Sequence, residues 1–176
     1  LMKEENLTKT YAAFSMMDVK KTWCECAACK AAEEKYGAKS GGMLVTCDRI
    51  GKRITEKLAG LGDDRTIKIV TLLYLDTENV PVEEKDGKYV RNSNLGVLEN
   101  VMPMWACITR KTHALPWSAP ENASALDMLD RMNAAFDEFW VWDYGVNFRD
   151  YLMPFDTFNA MAEDMKILSD YNIGLY

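Results

Sequence analysis

Three cysteines lie within six consecutive positions near the start of the chain, where Cys24, Cys26 and Cys29 form a Cys-x-Cys-x-x-Cys segment. Just before them, an apolar run over residues 11–17 stops at Asp18. A short apolar run that ends in an acid and leads into a helix predicts a buried parallel strand carrying a carboxylate at its C-terminal end. Ligands bind at that end of the strands in parallel α/β folds. The segment therefore predicts a specialised site, although a plain polar loop fits Asp18 alone equally well.

The thiol spacing favours a metal or redox cluster over a secreted disulfide framework, because neighbours this close cannot all pair with one another. Cys107, at the end of a later strand-like run, or His113, which follows it, could complete a tetrahedral zinc site that holds the loop after Asp18 in place. Two alternatives stay open. The thiols could be reduced and metal-free, or they could do redox chemistry at a helix start, where a thiolate is stabilised.

Further acids and aromatic rings lie in or near the connections that follow the other strand-like runs. Flat rings cover the C–H faces of a pyranose, acids bind its hydroxyls, and two carboxyl groups can cleave a glycosidic bond. This composition predicts a sugar site, and a non-catalytic sugar groove or a plain loop face would have the same composition. The residues concerned are Tyr74, Asp76, Trp105, Cys107, Arg110, His113, Trp142, Asp143, Tyr144 and Asn147.

The elements that must position these side chains alternate between strand-like and helical patterns, which predicts an α/β fold with a parallel sheet and helices outside it. Asp86-Gly87 predicts a hairpin turn, and Ser118 with Glu121 predicts a capping box for a helix through Phe136. Cys47 and the helical methionines are interpreted as core. The five predicted strands are residues 11–17, 67–75, 97–107, 138–142 and 172–176.

The length, charge and motif content of the chain argue against several classes of protein. The chain has 176 residues, about one domain, and a net charge of -6 with no basic patch, which argues against nucleic-acid binding. No apolar stretch approaches the ~20 residues of a membrane span. No Gly-x-Gly-x-x-Gly, Walker or Gly-x-Ser-x-Gly sequence is present.

Taken in order, several of these segments resemble a bacterial family of domains of unknown function, number 4838. The resemblance covers nearly the whole chain from Tyr11. That family is similar to glycoside hydrolases with a (β/α)8 barrel, such as the α-glucuronidase and hexosaminidase types. The segments that carry the resemblance are Ser15-Met-Met-Asp18, Cys24-x-Cys26-x-x-Cys29, Leu73-Tyr74, Cys107 to His113, Trp142-Asp143-Tyr144 with Asn147, and Tyr151-Leu-x-Pro154.

The resemblance implies that residues 1–176 are one partial barrel, about strands four to eight of a TIM-type (β/α)8 fold. The two exposed sheet edges would then pair with a missing N-terminal barrel half or with another copy. In the related hydrolases the fourth strand often ends in catalytic acids, and this role carries over to Asp18 alone. Met17 precedes it, so the sequence has no adjacent acid pair. In full-length form such a protein could be secreted or lie on the bacterial cell surface.

The leading hypothesis is a glycoside-hydrolase-like enzyme that acts on an oligo- or polysaccharide. Asp18 would be the acid/base and Asp143 or Asp76 its partner. Trp142, Tyr144 and Trp105 would form the sugar platform, and Tyr74, Arg110, His113 and Asn147 would provide further contacts. The alternative is a non-catalytic carbohydrate-binding or structural domain with a zinc site formed by Cys24, Cys26, Cys29 and Cys107.

Overall fold

The computed structural model describes residues 8–108, 110–147 and 149–175. Its main sheet has five strands, all paired in parallel, and they lie side by side in the order in which they occur along the chain. This confirms the predicted α/β class with a parallel sheet. The strands of this sheet are β1 (Tyr11–Ala13), β2 (Lys68–Leu73), β5 (Val101–Ala106), β6 (Phe139–Trp142) and β7 (Ile173–Leu175).

Four α-helices, one hairpin and two short 3-10 turns accompany this sheet in the described residues. The predicted Asp86-Gly87 turn is confirmed, because both residues have positive φ (52° and 72°) and join two antiparallel strands. None of the described helices is both long and apolar enough to cross a membrane. The remaining elements are α1 (Ala27–Tyr36), α2 (Lys39–Ala59), β3 (Val82–Lys85), β4 (Lys88–Arg91), α3 (Ala123–Ala135) and α4 (Phe158–Leu168).

The two faces of the sheet differ in what they contact. Alternate residues such as Ile69, Trp105 and Phe139 join one buried cluster with side chains from all four helices. On the opposite face, the rings of Tyr11 in β1 and Trp140 in β6 lie 5.0 Å apart between centroids, although β2 and β5 separate their strands. Three strand spacings span about 14 Å in a flat sheet. The contact therefore indicates that this face is concave, with the helices on the convex face.

The long helix α2 packs closely against the sheet through Cys47 and Gly51. Cys47 is fully buried, which confirms its interpretation as core. Gly51 lies where the helix meets the connection into β5, and a Cβ atom there would lie only 2.3 Å from the carbonyl oxygen of Asn100. Any larger residue at position 51 would push α2 away from the sheet.

Several predicted boundaries and faces are wrong. The buried strand predicted over residues 11–17 ends at Ala13, and both Tyr11 and Ala13 are exposed. The strand predicted over 97–107 begins at Val101, and Val97 is exposed. The expected capping box is not formed, because Ser118 Oγ donates instead to Glu163 Oε1 at 2.9 Å and the helix is preceded by a short 3-10 turn, Pro120–Asn122. The predicted last strand is found as Ile173–Leu175, and Tyr176 lies outside the described residues.

Helix α4 turns a different face to the core from the one predicted. Met161 and Met165 were interpreted as core, but they are exposed, whereas Ala160, Asp164 and Leu168 are buried. The reason is electrostatic. Asp164 faces the buried Arg110 guanidinium at 2.7 Å, and a buried cation needs such a partner.

Candidate functional site

Asp18 reaches the C-terminal rim of the sheet on a loop that remains attached to β2. After β1, the amide of Phe14 donates to the carbonyl of Val70 at 3.0 Å. The hydroxyl of Ser15 then accepts a bond from the amide of Leu72 at 2.9 Å. A side chain thus replaces the backbone in the strand ladder, and the chain turns out over the rim just before Asp18.

A cleft of about 210 Å³ opens at this rim on the concave side of the sheet. Asp18 lies beside Tyr74 in this cleft, and burial followed by the nearby Asp18 carboxylate raises the pKa of Tyr74. The indole of Trp142 forms part of the wall, with half of its surface exposed. The lining residues are Met16, Asp18, Leu72, Tyr74, Ala106, Trp142 and Tyr144.

Asp143 lies next to this cleft, but both of its carboxylate oxygens already contact other polar groups. Its Oδ1 lies 2.7 Å from His113 Nδ1 and accepts the Tyr144 amide at 2.7 Å and the Cys107 thiol at 3.0 Å, while Oδ2 pairs with Arg110. Burial opposes ionisation of this carboxyl. The close contact with His113, the bond from Cys107 and the charge of Arg110 outweigh it, so the pKa of Asp143 lies well below its usual range.

Arg110 is the centre of this network. Its side chain is 1% exposed and bridges Asp143 and Asp164. The guanidinium lies 4.5 Å from the ring of Trp117, which is itself fully buried. Asp164 also accepts the Trp117 amide at 2.7 Å. Arg110 therefore holds the rim together and has little surface left for a ligand.

A second cavity of about 300 Å³ lies on the other side of Tyr144. His113 lines this cavity, and its ring meets the ring of Tyr144 edge-on at 5.9 Å between centroids. Tyr144 lines both cavities. The Asp143 network thus positions a ring that forms a wall of the Asp18 cleft.

Three other predicted residues lie outside the cleft. Asp76 follows β2 in a short 3-10 turn, and its Oδ2 accepts the amide of Thr22 at 3.2 Å. Asn147 caps a surface turn by accepting the amide of Arg149 at 3.1 Å. Trp105 must be removed from the expected sugar platform, because it is fully buried on the helix-covered face and donates to Glu78 at 3.2 Å.

The three clustered thiols do converge. Their Sγ atoms lie within 4.8 Å of one another, with Cys24 and Cys26 exposed and Cys29 half-buried. Cys26 directly precedes α1, so Cys26 and Cys29 lie about one helical turn apart on the same side. The amide of Cys29, followed by contacts with the other two thiols, lowers the pKa of Cys26 to about 7. Its thiol contacts with Cys24 and Cys26 raise the pKa of Cys29 to about 11.

The structure does not bring Cys107 or His113 to this cluster, since both contact Asp143. It also reveals one residue that sequence reasoning missed, the buried Asp164. The signal was present as the spacing Ala160, Asp164, Leu168, in which an acid takes the middle place of a small apolar face. The methionines of the same helix were the more apolar residues, so the prediction assigned their face to the core instead.

Comparison with known proteins gives one result at the level of family. No curated protein and no solved structure matches the chain. A family model matches residues 2–176, almost the full length of the chain. The chain therefore belongs to the family described as domain of unknown function DUF4838, as its motifs indicated.

Proposed function

We propose that the sheet is part of a (β/α)8-type barrel and that its C-terminal rim binds carbohydrate, with Asp18 as acid/base in the cleavage of a glycosidic bond. Parallel strands in chain order, a concave inner face and helices on the convex side all fit a barrel segment. Active sites of such barrels lie at the carboxyl ends of the strands. The barrel and the activity are both proposals from this geometry.

The observation that carries the proposal is the composition of the Asp18 cleft. One carboxylate, two phenols and a half-exposed indole line the same small cavity. An aromatic face with hydrogen-bonding groups around it suits a pyranose, which has apolar faces and a polar rim. A plain loop face would not need Asp18 and Tyr74 side by side in a cavity.

The neighbouring carboxyl groups fit supporting roles better than proton transfer. A general acid must carry a proton near the operating pH, whereas Asp143 is held ionised by Arg110 and His113. Asp76 is bound to the amide of Thr22. Either acid could act as the partner of Asp18 only by giving up these contacts, so Asp18 is the residue on which cleavage depends.

The lining also favours one class of sugar. Among the described residues that line this cleft, Asp18 is the sole charged side chain. A uronic acid would bring its carboxylate towards Asp18, and two like charges at close range repel. We therefore expect neutral hydroxyl-rich or N-acetylated oligosaccharides to bind better than uronic-acid oligosaccharides.

The test combines NMR titration of the full chain with hydrolysis assays on aryl glycosides, using both classes of sugar. Asp18→Asn should lower hydrolysis by about 10²–10⁴-fold, the usual contribution of acid–base catalysis, and leave affinity within a few-fold. Trp142→Ala should weaken binding by about 10-fold, because a buried aromatic contact contributes about 0.5–1.5 kcal/mol beyond its area.

Matched controls separate these effects from general damage. Asp86→Asn changes an exposed acid in the hairpin turn, and Phe158→Ala removes an exposed ring at the start of α4. Both should behave like the unmodified chain. Binding without hydrolysis in every form would support the non-catalytic carbohydrate-binding alternative, and no binding to any sugar would refute the proposal.

A further inference from the structure

We infer that Cys24, Cys26 and Cys29 form a zinc site that fastens the Asp18 loop to the start of α1. This inference does not depend on carbohydrate binding. It assigns a metal to three thiols that the proposed sugar site does not use.

The first argument is the distance between the sulfurs. Tetrahedral zinc with Zn–S bonds of 2.3 Å separates its sulfur ligands by about 3.8 Å. The three Sγ atoms already lie within 4.8 Å of one another, so closing the site requires shifts of about 1 Å or less. All three cysteines are free of disulfides.

The second argument is how the chain creates this convergence. Cys26 has extended backbone angles, φ -64° and ψ 161°, immediately before α1. Cys29 lies in the first turn of that helix, and Cys24 lies in the segment that leads to it. Two ligands thus come from a rigid helix start and one comes from the Asp18 loop, so an ion would tie the two together.

The third argument is charge. Three thiolates with Zn²⁺ carry a net charge of -1. The start of a helix favours negative charge, because the free amide N–H groups of its first turn point out of that end of the helix. On binding, three thiols lose their protons to solvent and three Zn–S bonds form, with no change of oxidation state. Because Cys24 and Cys26 are exposed, the ion can reach the site from solvent.

The coordination sphere is completed from outside this group. Among the described residues, no fourth His, Cys, Asp or Glu joins the three thiols. Cys107, which the sequence offered as the fourth ligand, is buried beside Asp143. A water molecule would therefore take the fourth position.

Titration of the reduced full chain with Zn²⁺ against a chromophoric chelator tests the site. We expect one ion per chain, and Co²⁺ should give the intense sulfur-to-metal absorption of thiolate coordination. Loss of a residue that only supports a metal ligand typically lowers metal affinity by 10–100-fold. Loss of a direct ligand should have a larger effect, so Cys24→Ser, Cys26→Ser or Cys29→Ser should each lower Zn²⁺ affinity by at least about 100-fold. The control Glu25→Gln alters an exposed charge in the same segment and should bind like the unmodified chain.

Two results would overturn the inference. One is an unmodified chain that binds Zn²⁺ no more tightly than Cys26→Ser. The other is Co²⁺ binding without sulfur absorption, which needs no variant and so does not depend on how the variants fold. Recovery of a disulfide within the segment after gentle oxidation, together with either result, would assign the thiols to redox chemistry.

The fastening role has its own readout. Lys20 and Lys21 are exposed in the loop between Asp18 and Cys24. Zn²⁺ should slow tryptic cleavage there several-fold and leave cleavage at Lys88 in the hairpin unchanged. Equal cleavage rates in the loop with and without Zn²⁺ would show that the metal does not fasten it.

Discussion

Asp18 and Asp143 follow parallel strands at the same rim and lie on either side of Tyr144, yet their surroundings differ sharply. Asp143 has contacts to both of its carboxylate oxygens from Arg110, His113, Cys107 and a backbone amide. Asp18 is exposed and lies beside Tyr74 in an open cleft.

The difference teaches which acid is available for chemistry. A buried carboxylate whose oxygens are all engaged holds its neighbours in place, and removing it breaks the frame. An exposed carboxylate in a cleft contributes little to stability and can interact with a ligand. The predictions below test this division, in order of decreasing effect on the free energy of unfolding.

The largest effect should come from the centre of the buried network. Arg110→Met leaves Asp143 and Asp164 without their shared cation, and breaking a buried pair in this way costs about 3–5 kcal/mol. The control is Lys85→Met, whose side chain is 59% exposed and pairs with Glu83 at 3.0 Å. That surface pair should contribute less than about 1 kcal/mol. Urea unfolding of both variants measures the contrast, and equal losses would contradict it.

This network also marks the limit of sequence reasoning. The parallel sheet, the Asp86-Gly87 turn and the buried Cys47 were predicted because each follows from a local pattern of apolar or turn residues. Asp164 and the buried Trp105 were missed because their positions depend on partners distant in the chain. Periodicity identifies a helix, but it does not identify which face meets a buried cation.

The same division applies to the candidate site. The sequence placed Asp18, Tyr74, Trp142 and Tyr144 at one rim, and they do line one cleft. Parallel strands make this predictable, because their carboxyl ends share an edge. Which acid would be engaged and which left open was not predictable, since that depends on the position of Arg110.

An intermediate effect should depend on pH. The pKa of Asp143 is lowered on folding, so the native state holds fewer protons than the unfolded state between that value and the unfolded pKa of about 3.9. The stability that this carboxylate contributes is therefore present above about pH 3.9 and is lost as the pH falls further. Asp143→Asn removes it at every pH.

Urea unfolding at pH 6, 5, 4 and 3 checks this sign. The difference in free energy of unfolding between the unmodified chain and Asp143→Asn should be constant at the two higher values and shrink below about pH 4. The same comparison with Asp86→Asn should stay flat, because Asp86 is exposed in a turn. A difference that grows as the pH falls would contradict the assignment of Asp143 as an ionised part of the frame.

The smallest effect should come from Asp18→Asn. Asn has nearly the same shape as Asp, and the side chain is exposed, so the free energy of unfolding should change by no more than about 0.5 kcal/mol. Asp143→Asn, the same chemical change on the other side of Tyr144, should cost clearly more at pH 6. A loss above about 2 kcal/mol for Asp18→Asn would place Asp18 in the frame. The cleft would then lack its one unengaged acid, and a structural role for the rim would become the better explanation.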